Sequence, residues 1–188
     1  DNFPVLERFS KQLEKSGVKT NSVKKSNLAW ALTDIKKKLN QITTGEYILV
    51  FPFCSKKHQN KKWPNYKALI DKLKFTYSNK YSIIIAPGPN ELSLCKGYNA
   101  NIISNGKNPI NINELISLIQ KSKFVISNDT GPAHICTHLN KKGLVLFGSH
   151  TTAKKVSIES ENFKSLSVKN LNNLKTDEVL NVIKKNLD

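Results

Sequence analysis

The chain has 188 residues, 38% apolar and 23% charged, with three cysteines and a formal net charge of +16. That is the size and balance of one soluble core with extensions. The absence of any run of about 18 apolar residues argues against a spanning helix, and cysteines without a C-x-x-C pair argue against a zinc ribbon and point to reduced thiols, as in the cytoplasm.

Phe3 to Ser16 places Phe3, Leu6, Phe9 and Leu13 three or four residues apart and stops at Gly17, which predicts an amphipathic helix. A polar stretch runs to Asn27, followed by L-A-W-A-L and a lysine-rich helix over Asp34 to Leu39. A regular alternation then begins. Strands are expected at Tyr47–Phe51, Tyr81–Ala86, Ile102-Ile103, Lys123–Ser127, Gly143–Phe147 and Phe163–Val168. Between and after them lie helices at Trp63–Phe75, Glu91–Lys96, Ile112–Gln120, Gly131–Leu139 and Thr176–Leu187. This spacing predicts an α/β fold, a Rossmann-like parallel sheet covered by helices on both faces, with ligands at the carboxyl ends of the strands. Neither G-x-G-x-x-G nor a Walker P-loop occurs, so dinucleotide-dehydrogenase and P-loop ATPase readings lose their main support.

Nearly all the positive charge is lysine, Arg8 being the single arginine. Runs such as Lys36-Lys-Lys read as solvated faces, so nucleic acid is not an expected partner; anionic substrates or an anionic membrane face are. The chain begins at Asp1 and contains no methionine, which suggests a piece of a longer protein; no signal peptide is visible.

Four loops follow predicted strands: P-F-C-S-K-K-H-Q-N-K-K-W-P, P-G-P-N-E, S-N-D-T-G-P-A-H and G-S-H-T-T. The third turns on Gly131 and restarts as a helix with Pro132 in its first turn, a junction that aims backbone N–H groups at an anion. Hydroxyls, lysines, an imidazole and the carboxylates Glu91 and Asp129 suit a sugar nucleotide. Blander readings stay open on residue type alone. Asp129 or Thr130 can cap the helix, His134 can be structural, and Lys61 can belong to a solvated face. His58, His138 and His150 make no metal-binding signature, so no metal is expected.

D-T-G-P-A-H at Asp129 to His134 resembles the signature of glycosyltransferase family 9, the lipopolysaccharide heptosyltransferases. K-K-W-P at Lys61 to Pro64, G-P-N-E at Gly88 to Glu91 and L-F-G at Leu146 to Gly148 are similar to that family's other landmarks, in the same order. The resemblance implies the C-terminal half of a GT-B enzyme. Residues 1–42 would be an interdomain helix and linker, residues 43–188 the donor-binding domain, and an N-terminal acceptor domain would lie outside this chain. It further implies transfer of heptose from an ADP-sugar to the lipopolysaccharide inner core, with inversion. The ADP-sugar is a substrate and no cofactor is implied. The aspartate base belongs to the other half, so this chain alone would bind donor and hardly turn it over. Location would be cytoplasmic, extending to the inner face of the inner membrane, with lipopolysaccharide or lipid A core as acceptor.

By the same resemblance Lys61 and His134 are the candidate catalytic groups, placed on the diphosphate whose charge grows as the glycosyl bond breaks. Thr130 and Gly131 would cradle it and Glu91 would hold the ribose. Asp129 would bind substrate hydroxyls or orient its loop, and Ser55 would touch phosphate. After Phe147-Gly148 the family usually continues with Pro-Thr, whereas this chain has S-H-T-T-A-K-K. Two other readings compete: another GT-B nucleotide-sugar enzyme such as an epimerase, and a non-catalytic polyanion-binding module.

Overall fold

The computed structural model describes residues 3–20 and 26–187, so residues 21–25 of the polar stretch lie outside the described residues. Among the described residues six strands form a single parallel sheet: β1 (Tyr47–Phe51), β2 (Ser82–Ile85), β3 (Asn101–Ile102), β4 (Phe124–Asn128), β5 (Gly143–Phe147) and β6 (Phe163–Ser167). Their spatial order is β3-β2-β1-β4-β5-β6. The chain builds outward from β1 to one edge, then returns to place β4 on the other side of β1, with Phe51 opposite Ser127. Loops leaving β1 and β4 therefore diverge, which opens a crevice above their carboxyl ends.

Among the described residues seven α-helices accompany the sheet: α1 (Val5–Lys15), α2 (Lys36–Asn40), α3 (Tyr66–Tyr77), α4 (Ile112–Lys121), α5 (Gly131–His138), α6 (Ala153–Val156) and α7 (Thr176–Leu187). Strand side chains alternate between two cores, as the pleat requires. Ile48, Val50, Ile83, Ile85 and Ile126 meet Trp63, Leu69, Leu73 and Ile183 of the α3/α7 layer. Leu49, Phe51, Ile84, Val125 and Val145 meet Ile35, Leu118, Ala133 and Cys136 of the opposite layer. All three cysteines are free and buried.

The α4 start is locally encoded, since Asn111 and Glu114 form a reciprocal capping box. Two predicted elements differ. Glu91–Lys96 is a 3₁₀ helix over Leu92–Cys95, too short for α-type pairing. The predicted N-terminal helix forms, but Phe3, Phe9 and Leu13 are exposed. It packs against α6, and the Leu6 amide donates to Oγ of Ser157, the residue that ends that helix, at 3.5 Å. No described helix is long and apolar enough to cross a membrane.

At Gly143 the β5 backbone passes so close to its neighbours that an added Cβ would lie 2.5 Å from the Val125 carbonyl oxygen and 2.8 Å from the Phe163 ring. Backbone cannot yield as a flexible side chain can. Gly143→Ala is expected to destabilise the domain by about 1–3 kcal/mol, read as a lower urea midpoint at unchanged slope.

Candidate functional site

A cleft of about 530 Å³ lies at the carboxyl edge of the sheet, above the β1/β4 switch point. It is lined by Ser55, Lys61, Glu91, Asp129, Thr130 and Gly131, six of the seven candidate residues. The seventh, His134, stands one helical turn into α5, with Nε2 3.8 Å from Asp129 Oδ1. One part of the wall is apolar, formed by Phe51, Ala86, Ile110, Ile112 and Leu115. Ile110, Ile112 and Leu115 belong to the passage from β3 into α4, a strand-end segment outside the four singled out in the sequence. Applying the strand-end rule to the two-residue strand would have found it.

Lys61 and Asp129 are 68 positions apart and meet as an ion pair at 2.7 Å. The Asp129 side chain is 2% exposed and that of Lys61 26%. Asp129 therefore does not cap α5; it gathers cations and donors around itself. Thr130 occupies the N-cap position without a side-chain cap bond, and its hydroxyl lies 3.3 Å from Ser127 Oγ. In the first turn of α5, Pro132 has no N–H and the Ala133 amide is bonded to Thr130 O at 3.0 Å. Pro132 and Ala133 therefore add no free N–H to the cradle expected there, to which the amide of Gly131 stays available. A Cβ on Gly131 would meet nothing within 4 Å, so any side chain there would extend into space open to a ligand.

Glu91 accepts the Gly88 amide through Oε2 at 2.7 Å, leaving Oε1 for a hydroxyl donor. Burial raises its pKa, opposed by that amide and by Lys62. Ser55 is exposed at the rim, and its carbonyl, not its hydroxyl, holds the following turn by accepting the His58 amide at 2.9 Å. Burial is the largest influence on His134 and lowers its pKa, with Asp129 pulling the other way. A base whose folded pKa is depressed fits the fold best above its unfolded pKa, and that contribution is lost as pH falls through the folded value.

Two residues escaped the sequence reading. Asn128 is fully buried and ties three segments together. Its Oδ1 accepts from the Trp63 amide and from Tyr66 Oη, both at 3.2 Å, and its Nδ2 donates to Phe53 O at 3.4 Å and Phe51 O at 3.5 Å. His150, on the loop after β5, lies 3.2 Å from Asp129 Oδ2 through Nε2. Among the described residues no group of three or more His, Cys, Asp or Glu is arranged to hold a metal. The cleft thus joins an apolar wall to a cationic, hydroxyl-bearing end, the shape of a site for an elongated ligand with an anionic portion.

No curated protein matches the chain in sequence. Escherichia coli heptosyltransferase WaaC, solved with ADP, is similar in structure at TM-score 0.69 and 20% identity over 96% of this chain and 56% of that one. A glycosyltransferase family 9 structure from Veillonella parvula DSM 2008 matches at TM-score 0.77 and 15% identity over 100% of this chain and 61% of that one. A Methanocaldococcus jannaschii UDP-GlcNAc 2-epimerase in complex with UDP-GlcNAc and UDP matches at TM-score 0.63 and 15% identity, over 99% of this chain and 54% of that one. The chain therefore spans between half and two thirds of the length of these structures, and at such identities the likeness is one of fold. The family model of glycosyltransferase family 9 (heptosyltransferase) matches residues 3–185, and the chain belongs to that family.

Proposed function

We propose that this chain is the donor-binding half of a heptosyltransferase that takes heptose from an ADP-sugar to a lipopolysaccharide inner-core acceptor with inversion, the acceptor site and general base lying in a preceding domain. The observation that carries this reading is the convergence of six candidate residues on one cleft with an apolar wall and a cationic end. The apolar wall suits a base, Glu91 Oε1 a ribose hydroxyl, and Lys61 with the Gly131 amide a diphosphate. Fixed donors at the leaving diphosphate lower the barrier because they meet charge that develops as the glycosyl bond breaks. His134 adds to them when protonated. Asp129 is read as orienting Lys61 and the histidines, not as touching substrate.

ADP is favoured over UDP because the family's named activity is heptosyl transfer and a structurally similar heptosyltransferase is solved with ADP. An epimerase needs carboxylates free to work on the sugar, whereas Asp129 is held by Lys61 and His150, and Glu91 by the Gly88 amide.

Unfolding followed in the presence of ADP or UDP tests the reading. ADP at about 100 times its dissociation constant should add roughly 2.7 kcal/mol, with a smaller gain from UDP at equal concentration. The gain should persist between about 50 and 200 mM salt, where diffuse polyanion binding would fall by orders of magnitude. No gain with any nucleoside diphosphate would favour the polyanion-binding module instead.

A further inference from the structure

His150 lies on the loop after β5, and nothing above assigns it a task. Its side chain is 5% exposed, and its ring stacks on Phe147 with centroids 5.6 Å apart and planes 13° from parallel. Nδ1 is buried without a hydrogen-bond partner. A buried N–H with no acceptor is rarer and costlier than an unused lone pair, so the proton of the neutral ring belongs on Nε2. Nε2–H then donates to Asp129 Oδ2 at 3.2 Å.

That same Oδ2 accepts Lys61 Nζ at 2.7 Å. Two donors share one oxygen, but only Lys61 lines the cleft. A buried carboxylate left without donors is costly, so Asp129 would hold its lysine hard if the lysine were all it had. We propose that His150 is a positioning residue of the donor site: as a donor through Nε2–H it keeps Asp129 hydrogen-bonded and oriented when Lys61 turns to a diphosphate in the cleft. The charged and titratable groups facing it are Asp129, Lys61 across the shared oxygen and His134 on Oδ1. Lys154 and Lys155, on the following helix, are exposed.

This inference rests on the cleft binding ADP, and its test separates the two. In the ligand-free protein, ¹⁵N-histidine spectra near pH 7 should show a proton on His150 Nε2; a ring protonated only at Nδ1 overturns the proposal whether or not ADP binds. By titration calorimetry, His150→Ala should weaken ADP binding by about 3- to 10-fold, the worth of one hydrogen bond. His150→Gln, which keeps a side-chain N–H, should recover most of the loss. In an Asp129→Asn background, where Lys61 is no longer held by charge, His150→Ala should have no further effect. A loss that persists undiminished in the Asp129→Asn background overturns the positioning role.

Discussion

Asn128→Asp is expected to lower stability by about 3–5 kcal/mol near pH 7, the cost of an uncompensated buried charge. The substitution is isosteric, so packing is unchanged and only hydrogen-bond character differs. Oδ1 of Asn128 serves Trp63 N and Tyr66 Oη, a role that a carboxylate oxygen could keep. The other side of the amide donates to the Phe51 and Phe53 carbonyls, and an ionised carboxylate would instead point an acceptor at two acceptors. The folded protein would raise the pKa of such an aspartate. A carboxyl with a raised folded pKa destabilises above its unfolded pKa, and the penalty is relieved as pH falls. The stability gap to the unchanged chain should therefore narrow toward about pH 4 in urea titrations. A gap that stays constant with pH would mean that shape, not hydrogen bonding, is what Asn128 contributes. Because Asn128 ties the β1 loop to β4 beneath the cleft, weaker ADP binding should accompany the loss.

Lys61→Ala is expected to weaken ADP binding by about 1.5–3 kcal/mol, roughly 10- to 150-fold, while adenosine binding stays nearly constant. The lower end is the better guide, because Lys61 must leave a 2.7 Å partner, Asp129, to reach a phosphate. Calorimetric titration of both ligands into both proteins measures the difference. The control is Lys37→Ala, an exposed lysine of α2, whose loss removes one unit of diffuse charge and should matter little in ordinary salt. Equal losses for Lys61 and Lys37 would assign the affinity to general charge. A loss confined to adenosine would put the base, not the diphosphate, at this end of the cleft.

Local sequence carried far in this chain. Apolar runs of strand length between periodic helices foretold all six strands to within a residue or two, because burial on both faces of a parallel sheet leaves little room for polar residues. Asp129 to His134 announced a strand-to-helix turn, because Gly131 and Pro132 suit that junction and little else. The order of the strands was decided elsewhere. It depends on which side of β1 the chain returns to, a choice made by helix packing and not by any short segment. The same holds for the partners inside the site. A sequence rich in lysine distinguished Lys61 only by its Trp-Pro context, whereas folding brings it against Asp129, 68 positions away. Asn128 reads in sequence as one more polar loop residue beside the motif, and His150 as a histidine without a metal pattern. Each meets oxygen and nitrogen atoms of segments distant in sequence, and only the closed sheet and its packed helices set those distances.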